Sequence, residues 1–285
     1  MKVINTSADL LSAFDAGRFD MEKWKTYMDA HVPGAKDLCL SDMRACIHAG
    51  FSWEHDFLPV LNAVLWETKK REEAVRSFCC VTAHLDERIV RRFGRTVDAA
   101  VVLYLGLCNG AGWVTPVSGR TTVLLGIEKI MELNWCDPDA LTGLIVHELG
   151  HVYQAQYGIL HRTTDALPDH FLWQLFTEGV AMVFEQEIIG DPSYFHQDRN
   201  GWKQWCDGHA EFIRQSFRND IRVMTRENQR YFGDWTRLEG YGDTGYYLGA
   251  RFVRFLLRHS SFDQIIRYGI EEVKTGFDAF MRERA

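Results

Sequence analysis

Two histidines and a glutamate in the segment LIVHELGHVYQ have the residue types and the spacing of a metal-dependent hydrolytic site. His147 and His151 are four residues apart, so on a helix they lie on one face, one turn from each other. Two imidazoles in that arrangement can bind a single zinc ion. Glu148 is one position along, where its carboxylate can act as a general base toward water without taking a ligand position. The segment therefore predicts a zinc site with its base beside it.

A catalytic zinc site needs a third protein ligand, and the next predicted helix offers one. Glu178 lies in the apolar segment HFLWQLFTEGVAMVFEQEII, where a metal, or alternatively an arginine or histidine, would compensate the cost of burying a carboxylate. Gly179 would allow another backbone, or the metal-bearing helix, to approach closely. Glu185, seven residues after Glu178, is the alternative ligand, or else an acceptor for a histidine N–H. If Glu185 instead lies on a solvent-exposed face of the helix, it has neither of these roles.

The motifs HELGH and TEGVA, on successive predicted helices, resemble the gluzincin metallopeptidases, in which a downstream glutamate is the third zinc ligand. The resemblance is closest to a bacterial family of predicted zinc-dependent proteases whose function is not established, and it covers about residues 98–258. It implies one Zn²⁺ per chain, held by His147, His151 and Glu178. The stretch between His151 and Glu178 is longer than in aminopeptidase-N-like gluzincins, which weakens transfer of their substrate preference. Gln154 and Tyr157 exclude a metzincin.

The same resemblance implies an oxyanion donor and a substrate-binding edge. In aminopeptidase-N-like gluzincins a tyrosine of a Y-x-x-G motif donates its hydroxyl to the oxyanion, and Tyr246 matches that position in GYGDTGYYLGARF. The reserve candidates are Tyr241 and Tyr247, and all three tyrosines would otherwise pack as helix-start aromatics.

Gluzincins also bind an extended substrate along an edge strand upstream of the metal helix. By position, LCNGAGWVTP holds that edge in this sequence. The substrate-binding candidates are Gly110 and Gly112, which permit close approach, and Trp113, with Asn109 as an alternative side-chain contact. Simple hairpin-turn chemistry would explain the same glycines.

The sequence patterns on either side of these residues predict an α+β, mostly helical fold. Residues 5–93 have helical periodicity, and a small antiparallel sheet is expected from the β-rich runs between residues 100 and 127. Asp137 and Pro138 predict a helix start, with the helix running to about Tyr157 and stopping at Gly158. Further helices are expected at about 169–189, 198–218, 244–259 and 261–284. We therefore expect an N-terminal helical region, 1–95, and a zincin-like catalytic domain, 96–285.

Composition excludes several classes of protein. Of the 285 residues, 46% are hydrophobic and 25% charged, which is ordinary for a globular chain. A net charge of −7 argues against nucleic-acid binding, and the longest apolar stretch, 99–108, is too short to span a membrane. Seven cysteines without a C-x-x-C pair, and an N-terminus without a signal-peptide pattern, predict a cytoplasmic protein.

These features predict a zinc-dependent hydrolase, and most directly a peptidase that cuts amide bonds of a peptide substrate. No G-x-M-E-N-type motif precedes the metal helix, which slightly favours an endopeptidase or an unusual hydrolase over an aminopeptidase. Two alternatives remain open. One is a catalytically silent, zinc-stabilised binding module, and the other is a hydrolase of a small non-peptide amide or ester. The oligomeric state is not predicted.

Overall fold

The computed structural model describes residues 1–162, 166–233 and 235–283. Helices predominate and strands form two small sheets, which confirms the predicted mostly helical α+β class. The chain divides into two compact units, Met1–Glu148 and Leu149–Ala285. This division differs from the expected boundary at residues 95 and 96, because strands from both sides of that boundary pair in one sheet.

The β-strands of the described residues all lie in unit 1. They are β1 (Lys2–Asn5), β2 (Phe14–Asp15), β3 (Arg18–Phe19), β4 (Ala100–Tyr104), β5 (Gly112–Val117) and β6 (Arg120–Gly126). Its helices are α1 (Met21–His31), α2 (Lys36–His48), α3 (Leu58–Trp66), α4 (Thr68–Thr82), α5 (Leu85–Phe93) and α6 (Ile127–Glu132). A 3-10 helix, Ser7–Ala13, and a π-helical turn, Trp53–Phe57, complete the regular structure of this unit.

The main sheet is mixed, with strand order β1-β4-β6-β5. β4 pairs in parallel with β1 and with β6, whereas β5 and β6 form an antiparallel hairpin. The predicted antiparallel pairing is confirmed for β5 and β6 and is wrong for β4, which pairs in parallel. The segment 105–111 connects β4 to β5, but β5 does not pair with β4. The position beside β4 is taken by β6, the next strand along the chain. β5 is left at the edge of the sheet.

Strands at the N-terminus are a second departure from the sequence expectation. Residues 5–93 are predicted to be helical, yet β2 pairs with β3 in a short hairpin within that range. β1, which ends at residue 5, joins the main sheet. Strands of two to four residues carry too little alternation to be recognised from their own sequence. The partner of β1 also lies far along the chain, so its pairing has no local signal.

A long helix, α7 (Pro138–Tyr157), begins in unit 1 and continues without a break into unit 2. Unit 2 continues with α8 (Leu167–Ile189), α9 (Trp202–Gly208), α10 (Ala210–Asp220), α11 (Thr244–Leu256), α12 (Phe262–Ile265) and α13 (Ile270–Arg282). The helices predicted at 137–157, 169–189 and 244–259 agree with α7, α8 and α11 to within three residues. Those predicted at 198–218 and 261–284 are each divided into two shorter helices.

Glycines set the close approach of helices in unit 2. A Cβ on Gly150 of α7 would lie 2.9 Å from the Cα of Ala181 on α8. A Cβ on Gly249 of α11 would lie 2.6 Å from the carbonyl oxygen of Leu175, also on α8. Any larger residue at either glycine would push these helices apart. No helix among the described residues is long and apolar enough to cross a membrane.

Candidate metal centre

Helix α7 places the H-E-x-x-H residues one turn apart in its middle. Its start is capped as the sequence predicts, since the backbone N–H of Ala140 donates to Oδ1 of Asp137 at 2.9 Å. His147 and Glu148 are 3% and 8% exposed, and His151 is half-buried. Since the helix is continuous across the division between the two units, its own geometry fixes these three side chains relative to one another.

The three predicted ligands come together. One ligand atom each of His147, His151 and Glu178 lies within 4.8 Å of the others. Nε2 of His151 is 3.3 Å from Oε2 of Glu178, and these two side chains are 14% and 16% exposed. This group, which we call the outer group, therefore combines one buried imidazole with two side chains that solvent can reach.

A second group, the inner group, consists of His147, Glu185 and His196, whose ligand atoms also lie within 4.8 Å of one another. All three residues are buried. Glu185 accepts from the backbone N–H of His196 at 3.2 Å, and its other carboxylate oxygen lies 2.9 Å from Nδ1 of the same histidine. Glu185 therefore accepts a hydrogen bond from a histidine, which is one of its two predicted roles. Its carboxylate also lies within 4.8 Å of ligand atoms of His147 and His196, so it could have the other predicted role, that of a metal ligand.

Sequence reasoning gave no role to His196, because no residue at ligand spacing accompanies it. A signal was nevertheless present. Gly190 ends α8 in the left-handed conformation, φ +86°, and Asp191 and Pro192 follow it. A helix stop of this kind sends the chain back along the helix it has just left. His196 comes soon after that stop, where it reaches Glu185 inside α8.

The donor chemistry of both groups fits a divalent cation. Imidazole nitrogens and carboxylate oxygens are the ligands that zinc and related ions use in proteins. His147 belongs to both groups, and an imidazole has two ring nitrogens, so one can face a metal while the other faces a supporting group. These buried and half-buried histidines and glutamates could therefore hold a metal ion.

The edge strand β5 meets the predicted base within unit 1. A Cβ on Gly112 would lie 2.8 Å from both Cγ and Oε1 of Glu148. Only a residue without a side chain fits at the first position of β5 in this arrangement. The predicted close approach at Gly112 is therefore to the side chain of Glu148.

The other substrate-binding candidates have different surroundings. The indole N–H of Trp113 donates to the hydroxyl of Tyr104 at 3.1 Å, which fixes the orientation of this half-buried ring. Asn109 is engaged with the backbone of Cys39 and the carboxylate of Asp42. Gly110 has φ +150°, a conformation that other residues rarely adopt, so the turn itself requires it.

The three candidate tyrosines differ in what holds them. Tyr247 is buried, donates its hydroxyl to Asp207 at 2.9 Å and accepts from Arg251, and burial raises its pKa to about 12. The ring of Tyr241 stacks on Trp205 with centroids 4.3 Å apart. Tyr246 is half-buried in the first turn of α11, one turn before Gly249. The ring of Tyr246 meets that of Phe232 edge-on, with centroids 6.1 Å apart, so all three tyrosines make packing or polar contacts.

Gly179 and Gly249 connect two of the sequence motifs. A Cβ on Gly179 would lie 2.9 Å from the Cα of Gly249, so α8 and α11 are in backbone contact immediately after Glu178. The glycine of TEGVA and the glycine of YYLG are therefore partners in one helix crossing. The backbone that Gly179 admits is that of α11, whereas the metal-bearing α7 approaches α8 through Gly150.

No protein-family model matches the chain, and neither the curated proteins nor the solved structures give a match. The resemblance to the gluzincins therefore depends on the motif residues themselves.

Proposed function

We propose that this protein is a zinc-dependent hydrolase and that its substrates are peptides, which it cleaves at internal amide bonds. The observation that carries the proposal is the outer group, two histidines and a glutamate converging next to a glutamate that lies against a sheet edge. Each part of the site has a role that follows from its surroundings.

In this proposal His147, His151 and Glu178 hold the metal. A bound zinc ion would act as a Lewis acid toward the substrate carbonyl and make water more acidic. The partial exposure of His151 and Glu178 favours the outer group for this role, because a hydrolytic site must admit both water and substrate.

Glu148 is the proposed general base. It follows His147 directly on α7 and is 8% exposed, so its carboxylate is largely shielded from bulk water. It takes a proton from the attacking water and later delivers that proton to the leaving nitrogen. Gly112 lets the edge strand lie directly against this side chain, because a Cβ there would be 2.8 Å from Oε1 of Glu148.

Tyr246 and β5 supply the remaining functions. Tyr246 donates its hydroxyl to the developing oxyanion, where one such donor typically contributes about 3 kcal/mol of transition-state stabilisation. β5 is an edge strand, so an extended peptide can pair with its backbone. An extended peptide running past Glu148 places an internal amide bond at the site, which favours an endopeptidase.

The cysteines support a cytoplasmic location in this proposal. Among the described residues none of the seven is in a disulfide, and Cys79 and Cys80 are exposed. Exposed free thiols persist in a reducing compartment, whereas oxidising compartments favour disulfides.

Substitution Glu148→Gln tests the proposed function. The amide cannot accept the proton, so hydrolysis of unfolded casein and of a quenched fluorogenic peptide should fall about 10²–10⁴-fold. Zinc measured by elemental analysis should stay near one ion per chain. The control is Glu271→Gln, which removes the same charge from a side chain that is 79% exposed and should change neither quantity.

Loss of zinc together with activity in the Glu148→Gln variant would make Glu148 structural. Full activity in that variant would contradict its role as the base.

The burial of the inner group supports a second candidate function, a zinc-stabilised binding module without catalysis. Glu185 is 0% exposed and His196 4%, which suits a closed structural site better than a catalytic one. Under this alternative a chelator lowers the melting temperature, while the wild-type protein cuts none of the peptides tested. Chelator-sensitive hydrolysis by the wild type would exclude it.

A further inference from the structure

Glu128 is a buried carboxylate that the proposed reaction does not use. It lies in the first turn of α6, directly after β6, and is 1% exposed. Its Oε2 accepts from the backbone N–H of Gly106 at 2.9 Å, and its Oε1 accepts from the backbone N–H of Cys108 at 3.1 Å. Both contacts anchor the segment 105–111, the loop that carries the chain from β4 to β5.

The loop is shaped around this carboxylate. A Cβ on Gly106 would lie 2.5 Å from Oε1 of Glu128, and a Cβ on Gly126 would lie 2.9 Å from the same atom. Cys108 has φ +57°, in the left-handed region that costs a non-glycine residue energy. Such a conformation persists when its surroundings hold it, and the hydrogen bond from the Cys108 N–H to Glu128 does so.

The anchored loop leads directly to the edge strand. Gly126 donates its N–H to the carbonyl of Ala111 at 3.1 Å, which fixes the end of the loop against β6. The next residue, Gly112, pairs with Leu125 and lies against the side chain of Glu148. Three residues therefore separate Cys108, which Glu128 holds, from Gly112, which faces the proposed base.

We propose that Glu128 is a positioning residue, whose ionised carboxylate holds the loop 105–111 so that Gly112 and the start of β5 keep their place beside Glu148. The proposal rests on the proposed function, because it takes β5 as the edge that binds a peptide substrate. An ionised carboxylate offers two acceptor oxygens to the two N–H groups, whereas a protonated one offers a weaker pair and needs an acceptor for its own proton.

Ionisation of Glu128 falls in an accessible pH range. Burial raises its pKa to about 7, with the N–H groups of Gly106 and Cys108 and the nearby Lys129 acting in the opposite direction. Lys129 is itself paired with Glu132 at 2.5 Å. Further ionisable groups that interact with Glu128 are Tyr27 on α1, Cys39 on α2 and Tyr104 on β4.

These three groups stay neutral between pH 5 and 9, because the pKa values of Tyr27 and Cys39 are about 12 and that of Tyr104 lies well above its ordinary value. Helix α3, which packs on α6, contains no ionisable side chain. The buried face of α4, which also packs on α6, consists of Ala74, Ser77, Phe78, Val81 and Thr82. Among the groups named for these elements, Glu128 is the one whose pKa lies near 7.

Backbone ¹H–¹⁵N resonances of the holoprotein test the proposal without any need for turnover. In the wild type, the resonances of Gly106 and Cys108 should titrate together with a midpoint near pH 7, and Gly112 should follow with the same midpoint. In Glu128→Gln none of the three should titrate in this range, and Gly112 should be displaced from its wild-type position at pH 8. The matched control is Glu72→Gln on α4, whose side chain is 64% exposed, and all three resonances should behave in it as in the wild type.

Kinetics separates positioning from a merely structural effect. With the fluorogenic peptide as probe, Glu128→Gln should raise KM at least tenfold at pH 8, with a smaller change in kcat and unchanged zinc content.

An unshifted Gly112 resonance in a folded Glu128→Gln variant, or an unchanged KM, would overturn the proposal. If that variant does not fold, Gly106→Ala replaces it, since the added Cβ displaces the carboxylate from the loop. An unshifted Gly112 resonance in Gly106→Ala would overturn the proposal equally. A shifted Gly112 in a protein that cuts no peptide would count against the proposed function and leave the positioning role intact.

Discussion

His147 is the residue on which the two groups of possible ligands converge. The outer group adds His151 and Glu178, and the inner group adds Glu185 and His196. Glu185 is already hydrogen-bonded twice by His196, so its charge is partly satisfied without a metal. Glu178 has partial access to water and lies 3.3 Å from His151. We therefore expect the metal in the outer group.

Single-histidine variants distinguish the two groups. His151→Ala should lower bound zinc below about one tenth of an ion per chain, because two remaining ligands hold zinc poorly. His196→Ala should retain zinc, with an affinity reduced about 10–100-fold as for other residues that support a ligand. Elemental analysis after dialysis against a weak chelator measures both, and His147→Ala, which should lose zinc in either case, is the reference. Zinc retained in His151→Ala and lost in His196→Ala would assign the metal to the inner group.

Among the elements, the crossing of α8 and α11 has the most consequence for the site. Backbone contact at Gly179 and Gly249 allows α11 to lie directly beside the turn of α8 that carries Glu178. The first turn of α11 carries Tyr246. One helix crossing thus determines how close the third ligand and the proposed oxyanion donor can be. The glycines of the two motifs are explained by packing, independently of catalysis.

Substitution Gly249→Ala should destabilise unit 2 by about 1–3 kcal/mol, since its Cβ would lie 2.6 Å from the carbonyl oxygen of Leu175 and the helices must separate. Urea unfolding followed by hydrogen exchange in the peptides of α8 and α11 measures this change. The control is Gly208→Ala at the end of α9, where the new Cβ meets nothing within 4 Å. That change should be neutral or stabilising, by up to about 1 kcal/mol. Equal stability of Gly249→Ala and wild type would show that the crossing tolerates a wider spacing.

For the molecule as a whole, Glu128 links stability to pH. Its pKa is about 7 in the folded chain and 4.5 without the fold, a difference of about 3 kcal/mol between its two protonation states. Because the folded pKa is the higher one, the folded state binds the extra proton between these values. The stability from Glu128 is complete below about pH 4.5 and is lost as the pH rises to about 7. A residue retained at this cost is consistent with the positioning role proposed above.

Unfolding free energies at pH 5 and pH 8 test this linkage. The wild type should lose about 3 kcal/mol more than Glu128→Gln over this range, because the amide does not ionise. Hydrogen exchange in the peptides of unit 1 is the appropriate measurement, since the two units need not unfold in one transition. The control Glu72→Gln, whose side chain is 64% exposed, should follow the wild type. Parallel pH dependences in wild type and Glu128→Gln would mean that Glu128 ionises at its ordinary pKa.

What the sequence determined by itself is local. Asp137 and Pro138 start α7 because capping and proline at the first turn act over a few residues. The helix ends at Tyr157, as predicted, but Gly158 is not left-handed, and its missing Cβ instead leaves room for the distant carbonyl oxygen of Ile266. The same local geometry put His147 and His151 on one face. The mostly helical class and the bounds of α7, α8 and α11 could be predicted because every helix imposes the same spacing on the residues of its apolar face.

Only the tertiary structure decided which distant residues meet these local elements. Nothing near residue 2 indicates that β1 pairs with β4, and nothing near residue 128 indicates that its carboxylate anchors 105–111. His196 reaches Glu185 through the turn after α8, and Gly249 reaches Gly179 through a helix crossing. Such contacts depend on how whole elements pack, since their energy arises between surfaces that are far apart in the sequence.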